Sequence, residues 1–256
     1  MTESQRYTSA EILAILSARQ LRDGQVVFAG VGIPLLAATL AQRLNCPGLT
    51  ILFEGGVVGA FIEPGKLPPS TNDQRCTKRA NMVLGSAEVL LLLQRGYVDI
   101  GFMGGAQIDR HGNLNSSFIG DPAKPKIRLP GSGGGNDISS LTNMIVAMKH
   151  EKRRFVEQVD FITSPGFIRG GKTRAESGLP AGGMFRVITE LAVFGFDETS
   201  RSMTVLALNP GVTREEVQDN TGFELAFSPS ATVTEPPTDH ELATLRTIDP
   251  DRLFTA

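Results

Sequence analysis

Glu54 follows an apolar run, Leu49-Thr50-Ile51-Leu52-Phe53, and precedes Gly55 and Gly56. A carboxylate at the end of a buried strand, next to backbone that carries no side chains, can act as nucleophile or general base among N–H donors. In parallel α/β sheets, ligands bind beyond the carboxyl ends of the strands, which is where such a group would meet one. Two more glycine turns come within reach of apolar segments: Gly104-Gly105-Ala106-Gln107 after Val98–Met103, and Gly131-Ser132-Gly133-Gly134-Gly135 ahead of Met144–Met148. Gly55, Gln107, Gly133, Gly134 and Gly135 are the candidate donors toward an oxyanion or an anionic ligand. The plain alternative for Glu54 is an exposed loop carboxylate.

Two formal motif matches are weaker than they look. Gly166-Phe167-Ile168-Arg169-Gly170-Gly171-Lys172-Thr173 satisfies G-x-x-x-x-G-K-[ST], the phosphate-cradling loop of many nucleotide-binding proteins. That loop works only with a helix directly after it, and here Gly178 and Pro180 stop any helix within two turns. A glycine-rich surface loop is the better reading. Gly30-Val31-Gly32 starts like a dinucleotide fingerprint, but Leu35 stands where the third glycine belongs. It reads as a tight strand-to-helix turn.

Composition narrows the function classes. The chain has 256 residues, 41% of them apolar and 20% charged, so it has material for a substantial core and is not a disordered tract. A formal charge of −2 gives no electrostatic case for nucleic acid or an anionic membrane. Cys46 and Cys76 are too few for a disulfide framework, and His111, His150 and His240 are scattered, so no metal site is expected. The N-terminal MTESQRY carries no apolar core of a signal peptide, and the uncharged stretch 26–41 is too short to span a bilayer. These features point to a cytoplasmic protein.

The elements that would carry these residues can be read in turn. Thr8 and Glu11 form a capping box ahead of Ile12–Leu16, a helix. Gln25–Ala29 reads as a strand, Leu35–Leu44 as a helix with Pro34 in its first turn, and Leu49–Phe53 as a second strand, at βαβ spacing. Val57–Ala80 holds three prolines and reads as a long loop; Ala87–Gln94, nearly all leucine, reads as a deeply buried helix. Val98–Met103 and Met144–Met148 are further strands, and His150–Arg154 a solvated charged turn. Phe161–Thr163 is expected to return as a strand ending at Pro165. Arg186–Thr189, Leu191–Phe196 and Met203–Leu208 are short strands, and Thr213 with Glu216 caps a short helix. The expected fold is α/β: an open, mostly parallel sheet with helices on both faces and antiparallel strands toward the C-terminus, a single domain over 1–256 with 229–256 as an extended arm.

Taken in order, these stretches resemble the beta subunits of class I (family I) CoA-transferases, glutaconate CoA-transferase among them, from about Tyr7 to Phe227. The resemblance is carried by Gly30-Val31-Gly32-Ile33-Pro34-Leu35, Glu54-Gly55-Gly56, Gly104–Asp109 with Gly112–Ser116, and Ile119-Gly120-Asp121. Gly131–Gly134, His150–Phe155, Thr163-Ser164-Pro165-Gly166 and Asn220–Phe223 add to it.

The resemblance implies that Glu54 is the nucleophile, that CoA esters are substrates with no permanently bound cofactor, and that an alpha subunit of related fold completes the enzyme. Attack on an acyl-CoA thioester would give an acyl–glutamyl anhydride, opened by the CoA thiolate to a glutamyl–CoA thioester from which a carboxylic acid such as glutaconate takes the CoA. One departure stands out: related transferases usually place Ser or Asn where this chain has Gly55, which loosens the turn and removes a polar side chain beside Glu54. Related proteins also include decarboxylases of glutaconyl-type CoA esters and ring-opening hydrolases, the runner-up reading. A nucleotide-binding regulatory domain built on the Lys172 loop is a distant third.

Overall fold

A computed structural model describes residues 6–256 of the chain. The polar stretch Met1–Gln5, which entered the reading of the N-terminus, lies outside the described residues. The chain forms two compact units. The first holds the described residues up to Phe102 together with Pro236–Ala256, and the second holds Met103–Glu235.

The first unit begins as expected. Helix α1 (Ser9–Ala18) starts at the capping box: Thr8 Oγ1 accepts from Glu11 N at 3.1 Å and Glu11 Oε2 accepts from Thr8 N at 2.9 Å. Strand β1 (Val26–Ala29) leads through Gly32, at φ +87°, into α2 (Ile33–Leu44) with Pro34 in its first turn. Strand β2 (Thr50–Leu52) returns parallel to β1, completing the βαβ unit. Two short antiparallel strands follow, β3 (Val57–Val58) and β4 (Met82–Val83), separated by a long loop with one 3₁₀ turn at Gln74–Thr77. Helix α3 (Ser86–Gln94) leads to β5 (Ile100–Met103), which pairs parallel with β1 on its other side. The strand order within this unit is therefore β5-β1-β2-β3-β4.

α3 departs from expectation. Only Val89 and Leu93 are buried, and Leu91 is 43% exposed. Leucine content measures how much apolar surface a helix offers, whereas burial depends on what packs against it, and the described chain covers only one side of α3.

The second unit has two small hairpins ahead of its main sheet. Strands β6 (Gln107–Ile108) and β7 (Leu114–Asn115) form one, β8 (Phe118–Asp121) and β9 (Lys124–Arg128) the other. Helix α4 (Gly135–Leu141) emerges from the glycine loop and leads to β10 (Asn143–Ala147). After the four-residue helix α5 (Thr173–Glu176) come β11 (Gly183–Ile188), β12 (Ala192–Phe196) and β13 (Met203–Leu208). Helix α6 (Arg214–Asp219), capped by Thr213, precedes β14 (Ala226–Val233). The order is β14-β13-β12-β11-β10, with β10–β11 and β13–β14 parallel and the turns between β11, β12 and β13 antiparallel. Outside the two small hairpins and among strands longer than two residues, parallel pairs in the two units (β1–β2, β1–β5, β10–β11, β13–β14) outnumber the antiparallel β11–β12 and β12–β13. The α/β class, mostly parallel with antiparallel strands toward the C-terminus, is what the structure has.

Three local expectations change. Phe161 and Ile162 belong to no strand and are 48% and 39% exposed; only Ser164 makes an isolated bridge, to Leu114. His150 is not part of a solvated turn: it is 3% exposed and its ring stacks on Phe155 at 4.1 Å. The tail is not an extended arm. Residues 229–233 finish β14, and a second capping box, Thr238 with Glu241, starts helix α7 (Asp239–Ile248) in the first unit. Leu242, Leu245 and Ile248 of α7 are buried, each worth about 1.5–3 kcal/mol of apolar transfer. Two cross-links tie α7 to α1: Arg246 Nε to Glu11 Oε1 and Arg19 Nε to Glu241 Oε1, both 2.7 Å.

Candidate active site

Glu54 stands in the turn that joins β2 to β3. Phe53 before it is fully buried, and the turn closes on Phe53 from both sides: Gly56 N donates to its carbonyl, and its own N–H donates to Val57 O, each at 2.9 Å. Glu54 is half-buried on this backbone. That backbone leaves no room for other residues. A Cβ at Gly55 would lie 2.5 Å from Thr71 O and closer still to Asn72 Oδ1. Gly56, at φ +104°, would drive a Cβ into Leu84 O. The turn is therefore tight, contrary to the expectation that Gly55 loosens it, and the side chain of Asn72 fills the space beside Glu54 that Gly55 leaves.

Gln107 and the Gly133–Gly135 loop lie in the second unit, apart in sequence from Glu54 and Gly55. Within that unit they share one scaffold. The Gln107 side chain is 6% exposed and committed at both ends: Oε1 accepts from Asn115 Nδ2 at 2.7 Å and Nε2 donates to Asp160 Oδ2 at 3.2 Å. Asp160 Oδ2 also accepts from Gly120 N at 2.9 Å. The residue after Asn115 holds the glycine loop: Ser116 Oγ donates to Gly131 O and Gly131 N to Ser116 O, both 2.8 Å. Asn136 Nδ2 ties the loop's far end to Thr163 O at 2.9 Å. Inside the loop, Gly133 takes φ +49° and is exposed, while Gly134 and Gly135 are buried. Gly135 N donates to Ser132 O at 2.7 Å, and a Cβ on Gly135 would press on Met103 Sδ and Ser164 Oγ at 3.2 Å.

Sequence reasoning missed Asn72, Asn115, Asp160 and Thr163. Asn115 and Thr163 fall in stretches that carried the family resemblance, which was the one available signal. Asn72 sits in an irregular loop, and nothing in its neighbours announces where that loop folds.

The Lys172 loop is a structural knot. Asn113, fully buried, accepts Gly166 N and Ile168 N on Oδ1 and donates from Nδ2 to Ile168 O. Thr173 Oγ1, the hydroxyl a nucleotide's metal would need, donates to Phe167 O and Gly170 O. Arg174, 5% exposed, spends its guanidinium on the carbonyls of Gly166, Ser139, Ser140 and Pro180. The helix after it is four residues long, too short to present an anion site. The nucleotide-binding reading has no site here.

Other reactive groups are quiet. Both thiols are buried, and burial, with Asp73 nearby, pushes Cys76 up to about 11, which keeps it protonated. Among the described residues no group of three or more His, Cys, Asp or Glu is placed to hold a metal ion. No helix among them is long and apolar enough to cross a membrane.

The family profile described as Coenzyme A transferase matches residues 10–220. The chain is 39% identical to the beta subunit of 3-oxoadipate CoA-transferase from Pseudomonas knackmussii, over 95% of this chain and 94% of that one. It is 38% identical to the beta subunit of glutaconate CoA-transferase from Acidaminococcus fermentans, over 99% and 97%. It is also 32% identical to the cholesterol ring-cleaving hydrolase IpdB subunit of Mycobacterium tuberculosis, over 96% of each. The crystal structure of the Acidaminococcus glutaconate enzyme superposes with a TM-score of 0.92 at 36% identity, covering 99% of both chains. That of the decarboxylase AibA/AibB superposes at 0.82 with 26% identity, over 96% and 97%. With most of its length matched by the family profile and nearly all of it by two CoA-transferase subunits, the chain belongs to the coenzyme A transferase family, as a beta subunit.

Proposed function

We propose that the chain carries the nucleophile of a transferase that moves CoA between an acyl-CoA and a dicarboxylic acid such as glutaconate or 3-oxoadipate, the acids named for its relatives. The observation that carries the reading is the Glu54 turn: a half-buried carboxylate on a backbone that Thr71, Asn72 and Leu84 hold so closely that only glycine fits at the next two positions. A nucleophile held this way loses little freedom on reaching its substrate.

Glu54 Oε attacks the thioester carbonyl, the C–S bond breaks, and an acyl–glutamyl anhydride and CoA thiolate result. The thiolate attacks the glutamyl carbonyl, releasing the first acid as carboxylate and leaving a glutamyl–CoA thioester. An incoming carboxylate attacks that thioester, forming a second anhydride and freeing the thiolate again. Attack of the thiolate on the new acyl carbonyl forms the product thioester and restores the Glu54 carboxylate. Each addition places negative charge on a carbonyl oxygen, and backbone N–H donors lower its energy. Gly55 is the donor proposed in the first unit. In the second, the backbone of Gly133 and Gly134 is proposed as a donor toward an anionic ligand, and the hydrogen bonds of Gly135 N and of the Gln107 side chain hold their turns in shape. The anhydride hydrolyses in water, so the site must close, and the alpha subunit is proposed to close it. Substrate CoA is the only coenzyme the reading requires.

Intact-mass measurement tests the reading. The chain, co-expressed with the alpha-subunit homologue of the same genome, is incubated with glutaconyl-CoA or 3-oxoadipyl-CoA. A mass gain equal to enzyme-bound CoA, mapped to the Glu54 peptide and absent in Glu54→Ala, is expected. An intact complex that consumes the ester with no adduct rejects the transferase and leaves decarboxylation or hydrolysis, the activities named for the Aib and Ipd relatives.

A further inference from the structure

The loop between β3 and β4 gathers charge of one sign. Lys66, Arg75, Lys78 and Arg79 lie on it, and Arg43 of α2 reaches it at Phe61. The loop's two carboxylates are both taken, each at 2.9 Å: Asp73 by Arg75 Nε and Glu63 by Lys78 Nζ. Arg43, Lys66 and Arg79 have no ion pair among the described residues. In a chain of net charge −2, this is a local excess of positive charge. It is also held at a cost. Arg43 Cζ and Arg79 Cζ stand 5.0 and 4.3 Å from the centre of the one Phe61 ring. Burial, and after it the charge of Arg79, push the Arg43 guanidinium below its ordinary value. Arg43 Nη2 donates to Ile62 O, while its buried Nε has no partner among the described residues. Arg79 takes φ +60°, a left-handed conformation that costs any residue but glycine. Facing like charges, an orphaned donor and a strained backbone are features that a bound anion offsets.

The loop also makes room. Phe61 stands between two clefts: one of about 460 Å³ with Glu63, Lys66, Arg75 and Lys78 on its walls, and one of about 340 Å³ with Arg79 and Asn81. Both are of the size that small-molecule sites have. Gly59 N and Ala60 N donate to Ile51 O at 2.9 and 3.1 Å, and the second cleft reaches Leu49 and Thr50, so Phe61 lies toward the start of β2. Glu54 follows the end of that strand, and at about 3.3 Å per residue the two are carried about 10 Å apart or more.

We propose that the clefts beside Phe61 bind a small aliphatic dicarboxylate, one carboxylate among Lys66, Arg75 and Lys78, the other at Arg79, and the hydrocarbon between them against Phe61. Guanidinium forks match the geometry of a carboxylate. An apolar ring between two cationic sides selects this ligand over a polyphosphate, which has no apolar middle. The Glu63 carboxylate on the wall acts in the same direction. The Lys78 hydrogen bond, followed by the charges of Lys78, Arg79 and Lys66, holds it below its usual range, so it stays ionised and opposes a ligand of higher negative charge. The site stands on the clefts alone, whatever Glu54 does.

Calorimetric titration of the full chain, co-purified with its alpha-subunit homologue and free of CoA esters, tests the site with glutarate as the probe at fixed ionic strength. Wild type is expected to bind glutarate with a Kd on the order of 1 mM or below. Lys66→Gln and Arg79→Gln are each expected to weaken binding at least about tenfold, as the loss of a charge-assisted hydrogen bond does. Arg95→Gln, an exposed cation at the end of α3, is expected to leave it unchanged. Glu63→Gln removes the opposing charge and frees Lys78, so it is expected to tighten binding, a gain that misfolding cannot imitate. Glu54→Gln is expected to bind as wild type does. No binding by wild type, or equal binding by Lys66→Gln, Arg79→Gln and wild type, overturns the site. Binding lost in Glu54→Gln places the acid at the nucleophile and overturns it as well. Sulfate that binds as tightly as glutarate overturns the dicarboxylate as its ligand.

Discussion

The side-chain amide of Asn72 occupies the space into which any side chain at Gly55 would project. A residue 17 positions further along thus packs its polar group against the backbone of Gly55, and the glycine is a steric requirement of that arrangement. Part of the clash comes from backbone, since Thr71 O lies 2.5 Å from the same point and cannot swing away as a side chain can.

Gly55→Ala is therefore expected to destabilise the protein by about 1–3 kcal/mol, the usual cost of forcing atoms into a filled site. Asn72→Ala in the same chain is expected to restore only part of this, because the Thr71 carbonyl remains. Urea unfolding of the two single variants and the double variant measures the coupling. Full rescue by Asn72→Ala would place the whole conflict in the side chain and contradict the backbone contact.

His150 predicts an acid-sensitive second unit. Its ring lies between Thr189 Oγ1 at 3.2 Å and Thr221 Oγ1 at 2.9 Å, and burial pushes its pKa from 6.5 down to about 4. The folded protein keeps the ring neutral in the range where the unfolded chain already takes up a proton. The stabilising contribution is thus complete above about pH 6.5 and is lost as pH falls toward 4, a difference of about 3 kcal/mol. His150→Gln is expected to be less stable at pH 7.5 and to lose less stability than wild type between pH 7 and 5. Parallel slopes for the two proteins across that window would refute the assignment.

Lys172→Ala is expected to change neither Tm nor transferase rate, surface substitutions of this kind falling within about 0.5 kcal/mol. Millimolar ATP is expected to leave the Tm of wild type where it was. A nucleotide-dependent rise in Tm that Lys172→Ala abolishes would show that the Thr173 hydroxyl can leave Phe167 O and Gly170 O for a ligand.

Arg246→Ala tests the link between α7 and α1. Glu11 is 1% exposed; burial alone would raise its carboxyl, but the Arg246 hydrogen bond and the Thr8 amide outweigh this and hold it below the usual range. Losing the guanidinium leaves the carboxylate with the Thr8 amide and the more distant charge of Arg252, at a cost of about 1–3 kcal/mol. Because the native carboxyl titrates low, its contribution is present above the ordinary glutamate range and fades as pH falls through the lowered value. The difference between Arg246→Ala and wild type, read from urea midpoints, is expected to shrink below about pH 4.

The parts of the fold that were legible in the sequence are those set by neighbours. Thr8 with Glu11, Pro34 after Gly32, and the two apolar runs on either side of α2 state their structure within a few residues. Glu54 stood out for the same reason: a charge at the end of an apolar run is a local contrast. What stayed hidden depends on distant partners. His150 sits in a charged run, yet its fate is decided by Thr189 and Thr221. Gln107 looked like a free donor because Asp160, which occupies it, is 53 residues away. The box Thr238–Glu241 was as readable as the first one, but Pro236 and Pro237 ahead of it suggested an arm, and α1, which receives α7, lies at the opposite end of the chain. α3 was misjudged for a different reason: a sequence records that a surface is apolar but says nothing of which molecule covers it.

The docking of α7 also sets an order of events during synthesis. The unit that carries Glu54 is built from the early part of the chain and its last 21 residues, Pro236–Ala256, with the whole of Met103–Glu235 between them. On the ribosome, α1 must wait for Arg246 and Glu241 until translation has passed through the second unit, a delay on the order of ten seconds at about 5–20 residues per second. Throughout that interval the side of the helical layer that α7 will cover, with the buried Glu11 at its edge, stands open to the nascent chain's surroundings. The unit that carries Glu54 thus begins to be translated before the second unit and closes after it.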